Sequence, residues 1–171
     1  MNFSFYTVDA SYCDYLRAFD PKIPHTMEKK STRPFVGIVL SINNNKYYAP
    51  LTSPKAKHLK MSNQIDFMKI NSGIWGAINF NNMIPVNDFS LHKIDMKINN
   101  SDTQDMKSYK NLLKNQLSWC NSHRADIIKQ ADKLYSMVIG GKAWESLSAR
   151  CCDFVLDEKL CIEYRAQCIG K

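Results

Sequence analysis

Thr52, Ser53, Lys55, Lys57 and His58 place two hydroxyls, two ammonium groups and one imidazole within seven consecutive residues. That inventory suits a phosphodiester. Hydroxyls and backbone N–H groups at a strand end can hold a phosphate oxygen, and cations offset the charge that builds up in a pentacoordinate transition state. An imidazole can move a proton near neutral pH. An ordinary Ser-Pro turn beside solvated lysines accounts for the same residues, and on chemistry alone that plainer reading is slightly ahead. His58 reads as an exposed loop residue as readily as it does a proton carrier.

The charge around this run favours a polyanion. The chain carries a net charge of +7, and residues 29–65 hold no acidic residue but contain Lys29, Lys30, Arg33, Lys46, Lys55, Lys57 and Lys60. Cations clustered this way release counterions from a nucleic-acid backbone, although a merely solvated face would show the same composition. Other chemistries find less support. No G-x-S-x-G elbow or glycine-rich phosphate loop occurs, the four histidines His25, His58, His92 and His123 are scattered, and no D-x-D or H-x-H spacing marks a catalytic metal site. No cofactor is expected. The cysteines include no C-x-x-C pair, and Cys151-Cys152 are adjacent, a poor geometry for two ligands of one zinc, so structural zinc is not expected either. Reduced, mostly buried thiols are.

RNA changes what a protein must supply, because its own 2′-OH can attack the neighbouring phosphorus. Aligning the backbone, neutralising charge and shuttling protons is then sufficient. The residues from Arg33 to His58 contain groups for each task. DNA lacks the hydroxyl and is not an expected substrate.

The elements that must position these groups are legible from period and punctuation. Residues 3–8 read as an opening strand, and Asp9 or Ser11 can cap a short helix with Tyr12, Tyr15, Leu16 and Phe19 on one face. Asp20-Pro21 ends it, and residues 22–33 read as an exposed loop. Residues 35–42 and 46–51 form a hairpin about Asn43-Asn44-Asn45, delivering Thr52-Ser53-Pro54-Lys55 to a strand end and then into a basic loop. A second hairpin joins residues 66–70 and 74–80, Met83 to Val86 follows a turn, and Leu91, Ile94, Met96 and Ile98 suggest one more strand. From residue 101 the period becomes helical: one helix carries Tyr109, Leu112, Leu113, Gln116 and Leu117, and a second carries Ile127 to Val138 and stops at Gly140-Gly141. Asp153 can cap a last helix that buries Phe154, Leu160, Cys161 and Tyr164. The expectation is an α+β fold, one domain over 1–171, with an antiparallel, meandering sheet of at least five strands. With no apolar stretch long enough for a membrane span and no export-signal pattern at residues 1–6, a cytoplasmic protein is expected.

Several motifs in this order carry a resemblance. Phe5-Tyr6-Thr7-Val8, Tyr15-Leu16, Lys22-Ile23-Pro24, Arg33-Pro34-Phe35-Val36-Gly37-Ile38, Tyr48-Ala49-Pro50-Leu51-Thr52-Ser53-Pro54-Lys55 and Asn82-Met83-Ile84-Pro85-Val86 are followed by Tyr109-Lys110-Asn111-Leu112-Leu113, Gln116 and Cys151-Cys152-Asp153-Phe154. Taken together and nearly end to end, they make the chain resemble the toxins of type III toxin–antitoxin systems, the ToxN/AbiQ endoribonucleases. The resemblance implies a strongly twisted antiparallel sheet with helices around it, similar to the Kid/MazF toxin fold. It implies metal-independent RNA cleavage at adenine-rich sites to a 2′,3′-cyclic phosphate and a 5′-hydroxyl. The implied partners are target mRNA and an antitoxin RNA pseudoknot, which the toxin processes and which inhibits it in a closed protein–RNA assembly. Free toxin would arrest growth and abort phage infection.

Carried over by position, the resemblance makes Thr52 and Ser53 phosphate-contacting hydroxyls, Ser53 the more critical, with Lys55 the site lysine and Arg33 a retained cation. Lys57 and His58 match only some relatives, which leaves the proton-transfer group open. Lys29, Lys30, Lys57 and Lys60 are assigned to RNA contact, as are Tyr109, Lys110 and Gln116 on the helix that faces the site in the family. Two other readings stand beside this one: a non-catalytic RNA-binding module on the same fold, and an unrelated soluble protein whose basic loop is incidental.

Overall fold

A computed structural model describes residues 2–25, 27–28 and 31–169. Strand β1 (Ser4–Val8) leads into helix α1 (Ala10–Arg17), and a short ribbon of β2 (Met27–Glu28) and β3 (Ser31–Thr32) precedes the long hairpin of β4 (Phe35–Ile42) and β5 (Asn45–Thr52). Helix α2 (Ala56–Lys60) follows, then β6 (Phe67–Lys69), β7 (Ala77–Asn79), β8 (Ile84–Pro85) and β9 (Leu91–Lys93). Four helices complete the order: α3 (Gln104–Ser122), α4 (Arg124–Ile139), α5 (Glu145–Arg150) and α6 (Phe154–Ile169).

The fold is α+β, with a seven-stranded sheet in the order β6-β7-β5-β4-β1-β9 and β8 as a second neighbour of β5. Every pairing is antiparallel. The sheet is not the simple meander expected, because β1 from the chain start sits between β4 and β9. The last expected strand is also shorter: pairing with β1 ends at Lys93, and Ile94 and Met96 pack against the core from outside the sheet. The β4–β5 turn is the one that the three asparagines signal. Asn43 and Asn44 both take left-handed backbone (φ 50° and 62°), the conformation that matches the strands' right-handed twist and that asparagine tolerates better than most residues.

Strand β5 is buried along most of its length, which is why Tyr47 to Leu51 are almost continuously apolar. Helix α4 covers the sheet at β4 and buries Ile127, Ala131, Leu134 and Tyr135 on one stripe. It stops where Gly141 adopts φ 64°. Helix α6 begins at the expected cap, the Asp153 carboxylate accepting from the Leu156 N–H at 3.1 Å. It turns Phe154, Asp157, Leu160 and Cys161 inward. Buried tyrosines tie these helices to the sheet through their hydroxyls, since a phenol taken from water needs a partner. Tyr47 and Tyr135 both donate to Glu158 Oε1, at 2.8 and 2.7 Å. Tyr12 donates to the Pro85 carbonyl at 2.6 Å.

Three local readings are corrected. The supposed exposed loop at 22–33 buries Ile23 and Pro24, and Phe19 is exposed and packs on Tyr15 at the surface. The basic segment is not one patch either: Lys46, at the far end of β5, pairs with Asp88 at 2.8 Å. Cysteines 13, 120, 151, 152 and 161 are buried and free, while Cys168 is exposed. Among the described residues, no helix is long and apolar enough to cross a membrane.

Replacing Tyr12 with Phe should cost about 1–2 kcal/mol of folding free energy, because the Pro85 carbonyl loses a buried donor. A shift of the urea midpoint without a change in slope checks it.

Candidate active site

The end of β5 opens on a pocket of about 440 Å³. One wall holds Thr52, Ser53, Lys55, Lys57 and His58, joined by Arg33. Local structure explains the grouping. Leu51 N–H donates to the Pro34 carbonyl at 2.8 Å, which seats Arg33 beside the last residues of β5. Pairing of β5 stops at Thr52 opposite Ala77, and Pro54, lacking a donor, lets the chain leave the sheet. The chain then winds into α2 and does not remain the open loop that its polar residues suggest.

That single turn of helix decides the state of His58. The residue is 2 % exposed, its ring tilted against Phe67 at 5.6 Å, with Nε2 at 3.4 Å from Thr52 Oγ1. Its Nδ1 is buried without a hydrogen-bond partner. Burial, with Lys57 and Lys55 adding to it, lowers the imidazole pKa below its ordinary 6.5. His58 is therefore a neutral ring at neutral pH, able to accept a proton, and not an exposed loop side chain.

Two glycines hold this wall from behind. Gly76 has φ 92°, and a Cβ there would lie 2.0 Å from the Thr52 carbonyl oxygen. Gly73 has φ 93°, and its Cβ would lie 2.6 Å from the His58 carbonyl oxygen. The turn between β6 and β7 thus presses bare backbone against both elements that carry the hydroxyls and the imidazole.

The opposite wall was not legible in the sequence. It carries Asp66, Asn79, Asn81, Asn82 and Arg150, with Gln64 at its rim. Arg150, from the end of α5, grips Asp66 with two bonds, Nε to Oδ2 at 2.5 Å and Nη2 to Oδ1 at 3.1 Å. The carboxylate beside it raises the guanidinium pKa, so the cation is permanent. Asn81 donates from Nδ2 to the Arg150 carbonyl at 3.1 Å, and Asn82 donates to the Lys22 carbonyl at 2.9 Å. The amides are thereby fixed in direction. No local signal exposes Arg150, whose partner is 84 residues distant; Asn81 and Asn82 read as a turn, Asn82 also opens one of the resemblance motifs, and the sequence assigns none of the asparagines to the site.

The lining residues include four basic side chains, Arg33, Lys55, Lys57 and Arg150, against one carboxylate that Arg150 already engages. Such a cleft attracts phosphate and offers no cluster of acidic oxygens to a divalent ion. Other expected site residues fall elsewhere. Lys60 ends α2 outside the pocket lining, and Lys29 and Lys30 lie outside the described residues. The three positions on α3 do not line the pocket. Tyr109 is 38 % exposed. Lys110 donates to Asp102 Oδ2 at 2.7 Å and to the Lys97 carbonyl at 2.8 Å. Gln116 is buried and donates to the Trp75 carbonyl at 2.6 Å, so it braces the glycine turn and is not presented to RNA. The helical period that placed these residues together on one helix does not say which surface that helix faces.

A family described as "Toxin ToxN, type III toxin-antitoxin system" matches residues 4–161. The chain is 34% identical to Endoribonuclease ToxN of Pectobacterium atrosepticum, over 91% of this chain and 90% of that protein. It is 30% identical to Endoribonuclease ToxN of Bacillus thuringiensis subsp. kurstaki, over 96% and 85%. Among solved structures it is similar to one from work on selective toxin inhibition by a non-coding RNA pseudoknot, with a TM-score of 0.79 at 30% identity over 96% of this chain and 99% of the other. It is also similar to AbiQ, a lactococcal anti-phage endoribonuclease, with a TM-score of 0.80 at 25% identity over 96% and 99%.

Gly76→Ala should destabilise the fold by about 1–3 kcal/mol, since it adds both a left-handed strain and a clash with the Thr52 carbonyl. Equilibrium unfolding of the variant, compared with an alanine change at the exposed Ser72, checks it.

Proposed function

This chain belongs to the ToxN toxin family of type III toxin–antitoxin systems, and from that premise we propose that it is a metal-independent endoribonuclease. In this reading the 2′-OH of one nucleotide attacks the adjacent phosphorus. The 2′-O–P bond forms as the bond to the 5′-oxygen breaks, leaving a 2′,3′-cyclic phosphate and a 5′-hydroxyl. The observation that carries it is the convergence in one pocket of the Thr52 and Ser53 hydroxyls, a neutral imidazole, and four cations.

The division of labour follows from chemistry. Ser53 is exposed at the strand end and holds a non-bridging phosphate oxygen with Thr52. Lys55, Arg33 and Arg150 offset the second negative charge of the transition state, where a fixed cation acts without reorganising. His58, in hydrogen-bonding range of Thr52, takes the 2′-OH proton directly or through that hydroxyl, and the departing 5′-oxygen is protonated in turn. The amide wall of Asn79, Asn81 and Asn82, with Gln64, suits adenine, whose N6 and N7 pair with a carboxamide in two bonds. The family premise supplies the biological setting: target mRNA as substrate, a pseudoknot antitoxin RNA as product and inhibitor in a closed assembly, and action in the cytoplasm during phage infection. Lys57 and Lys60 contribute sequence-independent phosphate contact there, as would Lys29 and Lys30.

The S53A and K55A variants should lose cleavage by at least about 100-fold while retaining most of their affinity for a pseudoknot RNA, because binding is spread over many phosphate contacts. Electrophoretic cleavage and binding assays on the same RNA separate the two. Cleavage that survives both changes would remove the site assignment, and RNA binding without cleavage by the native chain would favour a non-catalytic module.

The imidazole sets a pH dependence. Its folded pKa is below 6.5, so it works as a base above that lowered value, and cleavage should fall as pH drops through it. The acid limb should lie below pH 6.5 and disappear in the His58→Gln variant, whose remaining rate should be flat there. An unchanged limb in that variant would assign the proton to another group.

A further inference from the structure

Behind the amide wall lies a cluster that RNA cleavage does not use. Asp20, Cys152 and Asp157 are all buried, and one ligand atom of each lies within 4.8 Å of the other two. Asp157 is fully buried, yet neither of its carboxylate oxygens has a hydrogen-bond partner. Leaving a buried carboxylate with no partner is costly. Nearby Lys22 does not relieve it, because its ammonium donates to the Cys151 carbonyl at 2.6 Å. Asp20 is held differently: its Oδ1 accepts from the Lys22 N–H at 2.9 Å and its Oδ2 from the Asp153 N–H at 2.7 Å. Those two bonds orient the carboxylate and leave lone pairs free on the side of the cluster. The Cys152 sulfur has only a long contact from Asn82 Nδ2, at 3.8 Å.

The geometry points to a structural zinc site made by Asp20 Oδ, Cys152 Sγ and Asp157, whose second oxygen or a water fills the fourth position. One thiolate and two carboxylates form a donor set that zinc accepts, at about 2.3 Å for sulfur and about 2.0–2.2 Å for oxygen. Tetrahedral spacing at those bond lengths is about 3.5 Å between ligand atoms, so atoms that lie within 4.8 Å need small side-chain shifts to reach it. Zinc would give the orphaned Asp157 carboxylate a partner, directly or through that water, and would deprotonate the thiol on binding. The cysteine spacings that speak against zinc, the missing C-x-x-C pair and the adjacent Cys151-Cys152, concern two thiolates of one site, whereas this site takes one cysteine and draws its carboxylates from opposite ends of the chain.

The placement gives the ion a task. Asn82 touches Cys152 and Lys22, and the Cys152 N–H donates to the Asn81 carbonyl at 2.8 Å. A cation here would pin the start of α6 and the segment after α1 to the back of the pocket, at a distance from the reacting phosphate.

Elemental analysis of the full chain, purified from zinc-supplemented medium without chelators, tests this independently of any RNA. About one zinc per chain is expected, with Cys152→Ser and Asp157→Asn both losing it. Cobalt exchange should give a thiolate-to-cobalt charge-transfer band in the native protein that Cys152→Ser lacks. Chelation should lower the melting temperature of the native chain, and Asp157→Asn should melt lower than the zinc-loaded protein. A native chain that carries no zinc and takes up no cobalt overturns the proposal, as does zinc that Cys152→Ser retains. An Asp157→Asn variant that melts higher than the native chain also overturns it, because that is the result of relieving a buried, unpartnered carboxylate.

Discussion

The hydrogen-bonding of β5 is the constraint on which the rest depends. One edge of this strand pairs with β4 from Asn45 to Pro50, with a register shift between Gly37 and Leu40 of β4, while its other edge pairs with β8 at Tyr47 and Tyr48 and with β7 at Leu51 and Thr52. Pro50 falls in the interval between those two outer partners. The Leu51 N–H points to the β4 side, so the N–H that Pro50 lacks would face the gap, where nothing requires it. A proline that would weaken an ordinary central strand thus sits where two short strands change over. The changeover is also what brings the β6–β7 turn, with Gly73 and Gly76, onto Thr52 and His58.

What the sequence could and could not reveal follows the range of the interactions. The β4–β5 turn, the stop of α4 at Gly140-Gly141 and the Asp153 cap are set by neighbours a few residues apart, and each is found where punctuation indicates. Thr52, Ser53, Lys55, Lys57 and His58 were visible for the same reason, being contiguous. Burial of His58 was not, because it depends on Phe67 and on a glycine turn fifteen residues further on. Lys46 looked unopposed until the fold brought Asp88 beside it. The insertion of β1 between β4 and β9 has no local signature at all, and it puts the chain start inside the sheet where a simple meander was expected.

The pocket's two walls differ in kind. The β5–α2 wall presents exposed Ser53, Lys55 and Lys57 beside the buried His58, whereas on the wall opposite Asn81 and Asn82 are tied to the backbone carbonyls of Arg150 and Lys22, and Arg150 to the Asp66 carboxylate. Charge can thus be presented from one side of the pocket while the amides of Asn81 and Asn82 are held in fixed directions on the other, and base readout requires fixed donors where charge neutralisation does not.

The bond between Asp66 and Arg150 also orders events in time. Everything needed for the hydroxyl and imidazole wall is present once the first half of the chain has been made, but the opposing cation and the braces on Asn81 come from residues near the end. During synthesis the pocket therefore stays half-built until α5 and α6 leave the ribosome, because Arg150 and the bonds it makes to Asp66 and Asn81 come only then.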